Sequence, residues 1–193
     1  MLKICLLLGL LLQFPAMDGV KNIAENKVKP ESNKPLKAIL DSLKIDPKSV
    51  KIIIVKSKYE LSIWSGNINI KIYRVVFGHN SKDDKLQQGD MCTPEGIFKI
   101  KSKYPHASWS KFMWIDYPTA DSWKKHNEAK RKGLIPANAK IGGEIGIHGV
   151  PKDCDYAIDS KQNWTWGCIS LTNKDVNEIY EVVRVGTEVE IKK

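Results

Sequence analysis

Apolar residues along this chain fall into short runs with two spacings. Leu36, Ile39, Leu40 and Leu43 recur three or four residues apart, which predicts a short amphipathic helix within 34–45. Runs 51–56, 59–64 and 68–77 are rich in Ile, Val, Trp and Tyr and read as strands. The last two meet at Ser65-Gly66-Asn67, a hairpin turn. Ile68, Ile70 and Ile72 alternate with Asn69, Lys71 and Tyr73, which is the period of a half-buried strand. Further on, 96–101 and 112–117 are strand candidates, 122–132 is a charged stretch without a breaker and predicts an exposed helix, and 144–150 predicts a buried strand ending at His-Gly. After Cys168-Ile169-Ser170-Leu171, a Thr172/Asn173 cap starts a helix with Val176, Ile179, Tyr180 and Val183 on one face. Residues 187–192 alternate again and close the chain as a strand. The pattern predicts a mainly β domain with a few short helices.

The start of the chain has a different character. Met1-Leu2-Lys3 precedes nine apolar residues, 4–12, the layout of a secretory signal. A membrane span needs about 20 apolar residues, and Gln13, Pro15 and Asp18 interrupt this run too early. The expectation is a signal peptide or N-terminal anchor over 1–19, with Ala16 or Gly19 before the cleavage point. A polar, lysine-rich linker and the short helix would occupy 20–50, and the β-rich domain 51–193. Export to the periplasm or cell envelope follows as the expected location.

Composition narrows the classes. The 193 residues are 42% hydrophobic and 27% charged, enough for one packed domain and too apolar for wholesale disorder. Four cysteines are too few for a disulfide scaffold of this length. Without Cys5 of the signal segment, Cys92, Cys154 and Cys168 remain. In an oxidising compartment that odd number leaves a thiol without an intramolecular partner. Cys92 and Cys154 can pair with each other, although sequence does not fix connectivity. The net charge of +9 is compatible with nucleic acid or with an anionic envelope. No helix-turn-helix, zinc-finger or RNP-like pattern is present, and the basic residues, including 51–58, are interleaved with element positions, so no nucleic-acid partner is expected.

The residues that carry chemistry lie late in the chain. Cys168, in Thr165-Trp166-Gly167-Cys168, is the candidate nucleophile. His148, twenty residues earlier in Gly146-Ile147-His148-Gly149-Val150, is the candidate base. A thiol ionises near 8.5 and so is only a few per cent thiolate at neutral pH, and an adjacent imidazole that takes its proton activates it. Backbone N–H groups around Gly167 and Cys168 are candidates for an oxyanion hole. Trp164, Thr165 and Trp166 flank the nucleophile as candidate substrate contacts. His79, His106 and His126 read as ordinary polar positions, and His148, Cys154 and Cys168 lack the paired spacing of a zinc site.

These flanking residues resemble the catalytic signature of the L,D-transpeptidase (YkuD-like) family, in which a His-Gly precedes a Ser/Thr-His-Gly-Cys segment. Thr93-Pro94-Glu95-Gly96-Ile97-Phe98 is similar to the family's Thr-Pro-x-Gly-x-Phe stretch. The C-terminal helix and strand also match, so the resemblance runs over about 51–191. Gly89-Asp90 before Thr93 looks most like the YafK-type branch. Two positions depart from the pattern: Trp166 stands where the family has histidine, and Ser170 where it has Arg or Asn.

The resemblance implies a β-rich α+β fold of mixed sheets packed as a sandwich, acting on peptidoglycan stem peptides. It implies that Cys168 forms a thioester after the third stem residue, releasing D-alanine, and passes the acyl group to an amine, such as a second stem or a protein lysine. Water as acceptor would give a carboxypeptidase or endopeptidase, and loss of catalysis a wall-binding domain. A backbone carbonyl near Gly149 is implied as the orienter of His148. No cofactor or metal is implied, and the chain is expected to act as a monomer.

Overall fold

The computed structural model describes residues 33–193. The expected signal or anchor segment, 1–19, and the first part of the linker lie outside them. The chain runs α1 (Leu36–Leu43), β1 (Val50–Val55), β2 (Glu60–Ser65), β3 (Ile68–Arg74), β4 (Gly96–His106), β5 (Ser110–Ile115), α2 (Ala120–Arg131), β6 (Gly146–His148), α3 (Tyr156–Asp159), β7 (Ile169–Ser170), α4 (Asn173–Val182) and β8 (Glu188–Lys192).

The strands form one curled mixed sheet in the order β3-β2-β1-β8-β4-β5-β6-β7. Its two halves meet at β4, which pairs with β8 through Gly96–Lys99 and with β5 from Ile100 onward. A register shift between Ile100 and Ser102 lets this long strand bend from one half into the other. The outer strands then meet: beyond β3, Val76 exchanges two 2.9 Å backbone hydrogen bonds with Ser170 of β7. Ile52, Ile54, Leu61 and Ile63 from one half share a core with Met113, Ile115, Ile147 and Ile169 from the other.

Two strand expectations change. In β3 the pairing passes from Ile63–Lys71 to Trp64–Asn69, leaving Ile70 as an extra residue. That bulge reverses the alternation, so Ile72 is exposed while Lys71 and Tyr73 are buried. β4 extends five residues past Lys101 because it pairs with β5 as far as His106–Ser110, over a stretch with no buried face to mark it in the sequence. The disulfide that Cys92 and Cys154 allowed is not formed: all three described cysteines are free thiols. Cys92 is buried and donates to the Asp90 carbonyl at 3.2 Å.

Helix α4 starts as its sequence predicts, with Thr172 Oγ1 accepting from the Asp175 N–H at 3.1 Å. Its Glu178 ties α1 to the sheet. One carboxylate oxygen accepts from Lys71 Nζ at 2.6 Å, from Tyr73 Oη at 3.2 Å and from the Leu36 N–H at the start of α1, 3.2 Å.

Candidate active site

Strands β6 and β7 are short, parallel and adjacent, with Ile147 opposite Ile169 and His148 opposite Ser170. This register places Cys168, just ahead of β7, beside the start of β6, so two segments twenty residues apart meet at one edge. A two-residue loop cannot join parallel strands. The intervening chain makes α3 and a turn at Thr165 before returning.

That turn presents the nucleophile candidate. Thr165 is buried, and its Oγ1 donates to the Cys168 carbonyl at 2.7 Å and accepts from the Gly167 N–H at 3.2 Å. Gly167 sits at φ +136°, and a Cβ there would lie 2.7 Å from the Cys92 carbonyl oxygen. Gly167 therefore serves by its conformation. Its N–H is already engaged, whereas the Cys168 N–H has no protein acceptor among the described residues.

His148 is 2% exposed and fixed on several sides. Trp109 stacks on it at 4.5 Å between centroids, Phe112 lies nearly parallel at 5.4 Å, and Trp164 meets it edge-on at 5.5 Å. Its Nδ1 lies 2.6 Å from the Gly149 carbonyl oxygen, so that nitrogen carries the proton and Nε2 keeps its lone pair. Ser170 Oγ donates to the same carbonyl at 3.2 Å. Gly149 is needed because a Cβ there would lie 2.6 Å from the Trp109 carbonyl oxygen and 2.2 Å from Asn173 Oδ1.

Both groups are electrically neutral at rest. Burial pushes the Cys168 thiol up to about 11, although the Gly146 N–H and the charge of Lys85 favour the thiolate. Burial pushes the His148 imidazole down to about 4 against the opposing pull of the Gly149 carbonyl. The thiol donates to the Glu144 carbonyl at 3.5 Å, with no hydrogen bond to His148. An imidazole free of its proton above about pH 4 is in the form a general base requires.

Cys168 is half-buried at the end of a cleft of about 490 Å³ lined by Lys85, Gln88, Gly89, Gly142, Gly143, Glu144, Ile145 and Trp166. Of the three aromatic and hydroxyl candidates beside Cys168, Trp166 alone lines this cleft, and it is 70% exposed. Thr165 shapes the turn, and Trp164 packs behind His148 on the cluster of Val76, Val150 and Ile158. Thr93-Pro94-Glu95-Gly96 stands away from the cleft. Lys56 Nζ reaches the Thr93 carbonyl at 3.3 Å and Glu95 Oε1 at 2.8 Å, anchoring the stretch from beneath.

Sequence reasoning passed over Lys85 and the histidine below it. His126 is 1% exposed, with Nδ1 2.6 Å from the Leu86 carbonyl oxygen, so it is a core group supporting the 84–90 loop and not an ordinary polar position. Lys56, expected as part of a solvated basic stretch, is 2% exposed because three acceptors receive its ammonium. Lys85 lies in a polar loop with no periodic signal, and Lys56 is one of several lysines in its run, so neither stood out.

The curled mixed sheet thus brings the Cys168 thiol and the oriented His148 imidazole to adjacent parallel strands. Residues 49–191 match the model of the YkuD family, described as an L,D-transpeptidase catalytic domain. The chain belongs to that family. The fold is also that of solved structures. An L,D-transpeptidase from Mycobacterium smegmatis matches with a TM-score of 0.51 and 13% identity over 75% of this chain and 59% of its own. The helical cell shape determining protein Pgp2 from Campylobacter jejuni matches with 0.53 and 20% over 82% and 56%. Bd1075 from Bdellovibrio bacteriovorus matches with 0.52 and 18% over 74% and 47%. The chain thus spans about half the length of the solved structures it matches. A comparison with curated proteins finds no match.

Proposed function

We propose that this protein is an exported L,D-transpeptidase acting on peptidoglycan stem peptides in the periplasm or envelope, and that Cys168 and His148 carry the reaction. The observation that carries this reading is a half-buried thiol just ahead of the strand that pairs with the one carrying His148, whose Nδ1–H is held by Gly149, leaving Nε2 to accept a proton. The family match over residues 49–191 supplies the reaction class.

In this reading the thiol turns from the Glu144 carbonyl toward His148 as the donor enters. Nε2 takes the proton while Sγ attacks the carbonyl after the third stem residue. The Cys168 N–H faces the developing oxyanion. The C–N bond breaks, His148 protonates the departing amine of D-alanine, and a thioester remains. A stem-peptide amine, or the lysine of a wall-linked protein, then takes the acyl group, cross-linking or anchoring the wall. A neutral resting pair suits this sequence, since the thiol stays protonated, and poorly nucleophilic, until a substrate displaces water from the cleft.

Incubating purified protein with disaccharide-tetrapeptides and resolving the products by mass tests the activity. New cross-linked dimers support transfer. Tripeptides alone would instead mean water is the acceptor, and unchanged muropeptides would overturn catalysis.

A further inference from the structure

We propose that Lys85 is a substrate-binding residue of the Cys168 cleft that receives the free carboxylate of the residue leaving the donor. The inference rests on the proposed function and adds the group that reads the donor's end.

A lysine is rarely buried without a purpose for its charge. The Lys85 side chain is 3% exposed and lines the same cleft as Cys168. Two of its three N–H groups are engaged, with Asp90 Oδ1 at 2.8 Å and with the Gln87 carbonyl at 3.1 Å. The third has no protein acceptor among the described residues. Asp90 in turn is saturated: its oxygens also accept from the N–H groups of Leu86, Gln87 and Cys92, between 2.8 and 3.1 Å. The carboxylate therefore fixes the ammonium in place with one donor to spare. Among charged groups, Lys85 favours the thiolate of Cys168 and Glu144 opposes it. Glu144 is exposed, so water screens its charge, whereas the buried ammonium acts through a medium of low dielectric.

The chemistry of the leaving residue fits this donor. Its carboxylate is bonded to the Cα that carries the scissile nitrogen, so it enters the cleft close to the attacked carbonyl. In a longer peptide that carboxylate is replaced by an amide, which offers no charge. When Sγ–C forms and C–N breaks, the carboxylate leaves unchanged with the amino acid. Lys85 thereby restricts the cut to the last residue of a stem.

Two measurements on the full chain test this. The first compares alkylation of Cys168 by iodoacetate and by iodoacetamide, read by intact mass. The reagents differ in charge, both release iodide as the S–C bond forms, and neither needs transpeptidase activity. Relative to free glutathione, the wild-type protein should favour the anionic reagent by about tenfold. Lys85→Met should abolish that preference, Lys85→Arg should keep it, and Lys124→Met on the exposed face of α2 should leave it unchanged. Because Lys85→Met leaves the Asp90 carboxylate buried and unpaired, Lys85→Met/Asp90→Asn removes the ammonium without stranding that negative charge. Equal ratios in wild type, Lys85→Met and Lys85→Met/Asp90→Asn would overturn the anion site.

The second compares acyl-enzyme formation from a tetrapeptide stem and from its C-terminal carboxamide. A wild-type preference for the free acid that Lys85→Met removes supports the assignment, and equal rates overturn it. Anion preference with no acylation by either peptide would overturn both the leaving-residue assignment and the proposed function, leaving Lys85 as an anion site alone. Acylation without preference in either assay would overturn Lys85 and leave the function standing.

Discussion

His148 and Ser170 both donate to the Gly149 carbonyl, from 2.6 Å and 3.2 Å. One backbone oxygen thus holds the imidazole and joins it to the strand that follows Cys168. In this site a carbonyl does the orienting that an aspartate performs in Ser-His-Asp triads, and the imidazole gains no neighbouring negative charge. Its low proton affinity follows: burial dominates, and nothing anionic offsets it.

That low affinity has a consequence for stability. An imidazole in the unfolded chain binds a proton below about 6.5, and the buried His148 refuses it until about pH 4. Its contribution is therefore fully present above 6.5 and is lost as pH falls through this window. The loss amounts to about 3 kcal/mol. Denaturant unfolding of wild type and His148→Gln at pH 7, 5.5 and 4 checks this. The stability difference between the two should shrink in favour of the variant as the solution is acidified. A difference constant across the window would contradict the assignment.

Gly167 is predicted to be intolerant of any side chain. Gly167→Ala forces φ out of +136° or drives a Cβ to 2.7 Å from the Cys92 carbonyl oxygen. The strain should lower stability by about 2 kcal/mol and misplace Sγ. A folded variant with reduced melting temperature and slowed Cys168 alkylation is expected. Wild-type values for both would show that the turn does not depend on glycine.

The Lys71–Glu178 pair fastens α1 to the sheet, with side chains only 6% and 16% exposed. Glu178→Ala leaves the ammonium buried without its anion and strips the Leu36 N–H of its acceptor. A loss of about 3–5 kcal/mol is expected. Lys71→Met/Glu178→Leu should recover a large share, because no charge is then stranded. Thermal unfolding of the single and double variants decides, and a double variant no better than the single would contradict the desolvation argument.

Much of this fold was legible where the sequence carries a periodic signal. Residues 34–45 gave α1 by helical spacing, the runs 51–56, 59–64 and 68–77 gave the first three strands, the last ending early at Arg74, and Thr172 marked the start of α4. The 144–150 stretch is strand only over Gly146–His148, because Glu144 turns the chain at φ +59°. Tyr156–Asp159 is a single helical turn, too short to show a period. The Ile70 bulge was hidden because an alternating pattern does not reveal where a partner strand skips a residue. At the site, Cys168 and His148 were marked by their flanking glycines. Lys85 was not, since its burial depends on Asp90 and on a cleft that forms only when the 84–90 and 142–145 segments meet.

The central claim is that Cys168 forms a thioester with a stem peptide. The direct measurement is intact mass, followed by peptide mapping, of protein quenched in acid after brief exposure to a disaccharide-tetrapeptide. The account predicts an adduct equal to the donor less one alanine, carried on Cys168, lost on treatment with hydroxylamine and missing in a folded Cys168→Ala. An adduct on another residue, or turnover by Cys168→Ala, would contradict it.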